Sequence, residues 1–124
     1  MTELLYKNES FKIIGICMEI HQTLGMGLKE INYKDAMEIE FIEHNIPYER
    51  EKRFTVKYKE KILRNPYSAD FLVYSSIILE IKSVASIIPT HVAQAISYLS
   101  VSKQKLGMVI NYGEKSLVWK RVVF

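Results

Sequence analysis

Cysteine is almost missing from this chain, with Cys17 the single example among 124 residues. No intramolecular disulfide can form, which fits a reducing compartment. Histidines number three, and with Cys17 they give no zinc-like ligand spacing. Glycine and proline are also scarce, at five and three. They build no linker, no Gly-rich phosphate loop and no nucleophile elbow. No stretch approaches the ~20 apolar residues of a membrane span. Met1 to Ser10 mixes charges with Leu4 and Leu5 instead of forming the apolar core of a signal peptide. Repeats and low-complexity tracts are lacking too. These absences lead us to expect a cytoplasmic protein with no membrane partner. They also predict one domain over residues 1–124, with 1–9 as a lead-in.

What is present is an ordinary apolar share of 48% and a charged share of 25%, enough for one core without covalent staples. The net charge of +3 is unevenly distributed. Residues 1–46 carry four Lys against eight Asp or Glu, and residues 47–64 carry seven Lys or Arg against three Glu. Residues 82–124 carry six Lys or Arg and only Glu114. Such basic segments can attract polyanions, or they can simply be a solvated hairpin and tail.

The hydrophobic period divides the chain. Ile13, Ile14, Cys17, Met18, His21 and Leu24 recur at helical spacing, predicting a helix over about Phe11–Leu24. Gly25-Met26-Gly27 ends it, and a second helix is expected over Leu28–Asn45, stopped by Pro47. This helix shows two apolar stripes. One is Leu28, Ile31, Ile39 and Ile42, and the other is Tyr33, Met37 and Phe41, with Glu30 on its line. Packing on both sides is the expectation. After Pro47 the period becomes two. Phe54, Val56 and Tyr58 predict a strand, followed by a turn at Lys59–Lys61 and a short strand at Ile62-Leu63. Ala69–Val73 and Ile77–Lys82 read as central strands. Thr90 is a candidate cap for a helix to about Ser100 with Val92, Ile96 and Leu99 inward. Met108–Tyr112 and Leu117–Val123 close the chain as strands. The predicted order is ααβββ(β)αββ, a mixed α/β fold.

Within the central strands, Glu80 and Lys82 stand two apart and share a face among Ile77, Ile78, Leu79 and Ile81. Charges there are costly unless they are paired or lie at a functional edge. Asp70 lies ten residues earlier, on the strand expected to pair with this one. A two-residue turn at Ser75-Ser76 would place Asp70 opposite Ile81. A three-residue loop, Tyr74-Ser75-Ser76, pairs Val73 with Ile77 and Asp70 with Glu80. Ser-Ser is a poor two-residue turn, which favours the longer loop. Opposed carboxylates repel unless a cation lies between them, and hard oxygen donors suit Mg²⁺. Lys82 can then orient or deprotonate a water, or offset phosphate charge. The plainer alternatives are exposed cross-strand ion pairing at Glu80 and Lys82, Asp70 bonding to nearby backbone, and Glu30 capping its own helix. Gln94, His91 and Tyr98 share a face of the late helix. His21 reads as a core histidine and His91 as a helix-start surface residue.

These segments together resemble the GxxExxY family, a branch of the PD-(D/E)XK nuclease superfamily. Gly27-Leu28-Lys29-Glu30-Ile31-Asn32-Tyr33 matches the naming motif, and Glu19–Gly27 resembles the helix leading into it, with Met26 where proline is usual. Tyr67–Val73 and Glu80-Ile81-Lys82-Ser83-Val84 resemble the two central strands. His91-Val92-Ala93-Gln94 with Tyr98-Leu99 resembles the late helix, and Leu106–Gly113 resembles the strand after it. Ser68 and Asn65 stand where a basic residue and a glycine are expected. The resemblance covers residues 10–124. It implies a restriction-endonuclease-like mixed β-sheet flanked by α-helices and metal-assisted phosphodiester hydrolysis. Its implied catalytic set is Glu30, Asp70, Glu80, Lys82 and Gln94. Asp70, Glu80 and the Ile81 carbonyl are the expected ligands for Mg²⁺ or Mn²⁺.

Three functions follow from this reading. The leading one is a Mg²⁺-dependent nuclease acting on DNA, with RNA as the alternative substrate. The others are a non-catalytic nucleic-acid-binding module and a protein-interaction subunit on the same fold. Nucleic acid is the expected partner, and a homodimer is compatible with the sequence.

Overall fold

The computed structural model describes residues 5–124. The chain folds as α1 (Lys7–Leu24), α2 (Glu30–Glu43), β1 (Tyr48–Phe54), β2 (Lys57–Tyr58), β3 (Lys61–Ile62), β4 (Tyr67–Val73), β5 (Ile77–Lys82), α3 (Pro89–Ser102), β6 (Leu106–Asn111) and β7 (Val118–Val123). Five strands form one sheet in the order β1-β4-β5-β6-β7, and β2 with β3 makes a separate two-stranded hairpin. β5 and β6 run parallel and the other neighbours antiparallel. A parallel pair needs a crossover, and α3 supplies it. The result is the mixed sheet flanked by helices that the sequence led us to expect.

Two apolar layers sandwich this sheet. On one side Ile13, Cys17, Tyr33, Met37 and Phe41 of α1 and α2 pack on Phe71, Val73, Ile77, Leu79, Ile81, Met108 and Ile110. On the other side Ala95 and Leu99 of α3 pack on Tyr67, Ala69, Leu72, Ile78, Val109 and Val122. β5 therefore reads as a near-continuous apolar run because both its faces are covered.

Several predicted details change. α2 begins at Glu30, not Leu28, and of its two apolar stripes buries Tyr33, Met37 and Phe41, with Lys34 beside them. Leu28, Ile31, Ile39 and Ile42 are exposed, so the helix packs on one side. The predicted Phe54–Tyr58 strand is split. β1 lies earlier and ends at Phe54, and the chain then leaves the sheet for the β2–β3 hairpin. α3 starts at Pro89 with Ile88 at the cap position in place of Thr90, because proline suits the first helical turn. Ile96 faces outward.

Between β4 and β5 the pairing is Val73↔Ile77, Leu72↔Ile78 and Phe71↔Leu79. The connection is thus the three-residue loop expected from side-chain parity. Tyr74 and Ser75 take positive φ, and the Ser76 N–H donates to the Val73 carbonyl at 3.0 Å.

Candidate active site

The β4–β5 ladder opens one step beyond Phe71↔Leu79, where continued pairing would set Asp70 opposite Glu80. Side chains take over from the backbone there. The Ile81 N–H donates to Asp70 Oδ2 at 2.7 Å, and the Asp70 N–H points at Glu80 Oε2 at 3.5 Å. Strand alternation also slips at this point. Ala69 packs on the α3 side while Phe71 packs on the α1–α2 side, although two residues apart normally share a face. On the other flank the β1–β4 pairing passes over Glu51 and Asp70, and Glu51 takes a φ of 54°. Asp70 therefore occupies a local break in the sheet, where its carboxylate reaches groups on both sides.

The break opens into a cleft of about 600 Å³ lined by Glu30, Lys34, Asp70, Glu80, Ile81, Lys82 and His91, among others. Asp70, Glu80 and Lys82 line it together, with Lys82 half-buried two residues beyond Glu80. Glu80 Oε1 accepts a hydrogen bond from the Tyr67 hydroxyl at 3.0 Å. Burial, and then the charge of Asp70, push the Glu80 carboxyl up to about 8. Burial and the Glu80 charge also raise the Tyr67 phenol, which keeps it a donor.

This shift has a consequence for stability. The ordinary carboxyl value is 4.5, so between there and about 8 the folded protein holds the Glu80 proton more tightly than the unfolded chain does. Stability should therefore fall as pH rises through that window, by at most about 1.4 kcal/mol per pH unit. Urea unfolding in EDTA across the window should show the decline, and Glu80→Gln should flatten it. An unchanged slope in that variant would assign the effect to another group.

Glu30 is placed by the loop before α2. Gly25 and Gly27 take positive φ, at 69° and 107°. The Tyr33 hydroxyl donates to the Gly25 carbonyl at 2.6 Å and accepts from the Leu28 N–H at 3.2 Å. The Tyr33 ring stacks on Tyr112 at 4.2 Å, a contact worth about 0.5–1.5 kcal/mol beyond burial. Glu30 Oε2 then accepts from the Ser83 N–H at 2.7 Å, and the Ser83 hydroxyl donates to the Leu28 carbonyl at 2.7 Å. Glu30 and the Leu28 carbonyl thus staple the α1–α2 turn to the residue following Lys82, while the Tyr33 hydroxyl braces the turn itself. Glu30 bonds across the fold; it does not cap its own helix.

Gln94 lies exposed on α3 and is not among the residues lining the cleft. His91 does line it, with Nδ1 accepting from the Ile88 N–H at 3.2 Å in the matching tautomer. His21 is buried in the core with Nε2 2.8 Å from the Glu114 carbonyl.

The sequence reading missed Lys34. Its Nζ donates to Asp70 Oδ1 at 2.9 Å and also bonds to Glu51 Oε1. Burial would lower the Lys34 ammonium, but hydrogen bonds to Glu51 and Asp70 outweigh it and raise the pKa above its ordinary value. A signal was present, since Glu30, Lys34, Met37 and Phe41 fall at i, i+4, i+7 and i+11, the buried line of α2.

The donor chemistry of the cleft fits a hard divalent cation. Two carboxylates meet, and burial and then the charge of Asp70 favour the neutral form of Glu80, a conflict that a bound cation relieves. Asp70, Glu80 and Ile81 are the residues that would hold it. No group of three or more His, Cys, Asp or Glu suited to a metal occurs among the described residues. Water and substrate oxygens would complete the coordination.

A five-stranded mixed sheet with helices on both faces, carrying Asp70 and Glu80-x-Lys82 at an opening between its central strands, defines a restriction-endonuclease-like fold. The chain belongs to the PD-(D/E)XK nuclease superfamily, whose family model matches residues 7–122. Members of that superfamily generally use divalent metal ions. Solved structures agree in fold. SSO0001 superposes with a TM-score of 0.57 at 17% identity, covering 95% of this chain and 59% of its own. An alkaline exonuclease from Laribacter hongkongensis gives 0.54 at 13% identity, covering 99% of this chain and 72% of its own. The chain therefore spans little more than half the length of SSO0001. No curated protein sequence matches it. Among the described residues no helix is long and apolar enough to cross a membrane.

Proposed function

We propose that this protein is a metal-dependent nuclease that hydrolyses phosphodiester bonds, with DNA as the first substrate to test and RNA the second. The observation that carries the reading is the meeting of Asp70, Glu80 and Lys82 in one cleft of a PD-(D/E)XK chain. Mg²⁺ or Mn²⁺ held by Asp70 and Glu80 would polarise a phosphoryl oxygen. Lys82, in the same cleft, would orient a water or offset phosphate charge as an ammonium, and would accept the water's proton only in its neutral form. Glu30 acts through Ser83, fixing the backbone beyond Lys82. We read the chain as one nuclease domain of the GxxExxY branch, on the Gly27–Tyr33 motif, and assign it to the cytoplasm. The alkaline exonuclease from Laribacter hongkongensis is a consistent precedent, at the level of fold.

Nucleic acid would approach over basic surface. The β2–β3 hairpin and its flanks carry Arg53, Lys57, Lys59, Lys61 and Arg64, and the exposed Tyr58 lies beneath Lys59. With about three to five phosphates contacted, log K for duplex DNA should fall against log salt with a slope of roughly −3 to −5.

The deciding experiment incubates purified protein with single- and double-stranded DNA and RNA in Mg²⁺, Mn²⁺ or EDTA. Cleavage with metal and none with EDTA is expected. Calorimetric titration with Mn²⁺ should show binding that Asp70→Ala removes. Equal binding by both proteins would move the metal elsewhere. Salt-sensitive binding without cleavage in either metal would leave a nucleic-acid-binding module, and binding indifferent to salt would favour a protein-interaction role.

A further inference from the structure

Lys34 is only 9% exposed, an unusual position for a lysine. Its burial is tolerated because two carboxylates receive its ammonium, Asp70 from β4 and Glu51 from β1. The two partners differ. The Asp70 side chain is 23% exposed, and its other oxygen is already committed to the Ile81 N–H. The Glu51 side chain is 52% exposed, and its second oxygen accepts from the Ser68 hydroxyl at 3.3 Å. Lys34 therefore occupies the Asp70 oxygen that the backbone leaves free, and has a second, more solvated acceptor beside it.

We propose that Lys34 is a positioning residue that competes with a divalent cation for Asp70, and that Glu51 is the acceptor to which its ammonium withdraws when metal enters. The proposal rests on the metal-site reading of Asp70 and Glu80. An ammonium and a divalent ion cannot share one carboxylate oxygen at contact distance without strong repulsion, even at the effective dielectric of a protein interior. With Glu51 in place, Lys34 keeps a charge partner when it leaves Asp70, so entry of the metal strands no buried charge. The pair sets metal affinity below that of two bare carboxylates while holding Asp70 in position when the site is unloaded.

The test is calorimetric Mn²⁺ binding to the protein alone, without nucleic acid, with circular dichroism and urea unfolding to confirm that each variant is folded. Lys34→Met, which keeps the length of the stem and removes the charge, should bind Mn²⁺ at least about tenfold more tightly. Lys34→Gln should do the same if methionine at this position impairs folding, and Lys34→Arg should stay near wild type. Glu51→Gln should act in the opposite direction, weakening binding several-fold, because Lys34 then has only Asp70. In the Lys34→Met background that Glu51→Gln effect should largely disappear, a coupling that a purely structural role would not give.

Binding by Lys34→Met equal to or weaker than wild type, or additive effects of the two substitutions, would overturn the proposal and leave the metal site standing. If neither wild type nor Lys34→Met binds Mn²⁺, the metal-site reading falls and this inference with it. Binding gained only in Lys34→Met supports the proposal.

Discussion

Replacing Lys82 with alanine is expected to slow phosphodiester cleavage by ~10²–10⁴-fold, the usual loss for a proton-transfer or electrostatic group at a reacting centre. Its ammonium makes no side-chain hydrogen bond or ion pair among the described residues, so it is available to a water or phosphate in the cleft. Lys34 does not take its place, because that ammonium is held by Asp70 and Glu51. The backbone at Lys82 is secured independently. It pairs with Asn111 of β6, and the Tyr112 N–H donates to its carbonyl at 2.9 Å. The fold should therefore persist, with a stability change within about 0.5 kcal/mol. Glu30→Gln should cost less activity, since an amide oxygen can still accept from the Ser83 N–H. Single-turnover cleavage and urea unfolding of the same preparations separate these effects. A Lys82→Ala protein that cut as fast as wild type would end the nuclease assignment for this cleft.

The largest effect on stability is expected from Gly113→Ala. A Cβ at Gly113 would lie 2.3 Å from the Val84 carbonyl oxygen, 2.4 Å from the Val84 nitrogen and 2.8 Å from the Ser83 carbonyl carbon. These are backbone atoms with no flexible side chain to yield. They are also clamped by Asn111, which is fully buried. Its Oδ1 accepts from the Val84 and Gly113 N–H groups, and its Nδ2 donates to the Val84 carbonyl and to Glu114. The methyl group must break this clamp or push the Ser83–Val84 segment outward, at a cost of about 3 kcal/mol or more. The shift would carry Ser83 away from Glu30, so cleavage should drop along with the urea midpoint. A midpoint unchanged from wild type would mean that the two segments are not in such close contact.

Much of the site was legible in the sequence because strand geometry is local. Side chains alternate, so Glu80 and Lys82 had to share a face. The same parity, with a poor Ser-Ser turn, selected the three-residue loop. The expected Asp70–Glu80 pair does not form, because the ladder opens after Phe71↔Leu79 and Asp70 reaches Glu80 and Ile81 from a break in the strand. The Gly27–Tyr33 motif was visible as well, but its work as a staple to Ser83 was not, because Glu30 and Ser83 are far apart in the chain. Apolar periodicity announced two stripes on α2 and led to the expectation that both are packed, because periodicity does not show what an element will face. The sheet covers the Tyr33 stripe and leaves Ile31, Ile39 and Ile42 in solvent. The strand predicted through Phe54, Val56 and Tyr58 showed the right period, but β1 leaves the sheet at Phe54 and the alternation continues in a hairpin outside it.

By itself, then, the amino-acid order determined the fold class, the β4–β5 register as far as Phe71↔Leu79 and the shared strand of Glu80 and Lys82. Each of these follows from spacing along a short segment. Only the tertiary structure decided that Lys34 meets Asp70, that Glu51 joins them, that Tyr67 bonds Glu80 and that Gln94 stays outside the cleft. Lys34, Glu51 and Gln94 depend on how α2, β1 and α3 lie around the sheet, and Tyr67 on the slip of alternation at Asp70. Local periodicity records which residues of an element are apolar, but not which neighbour that element will face.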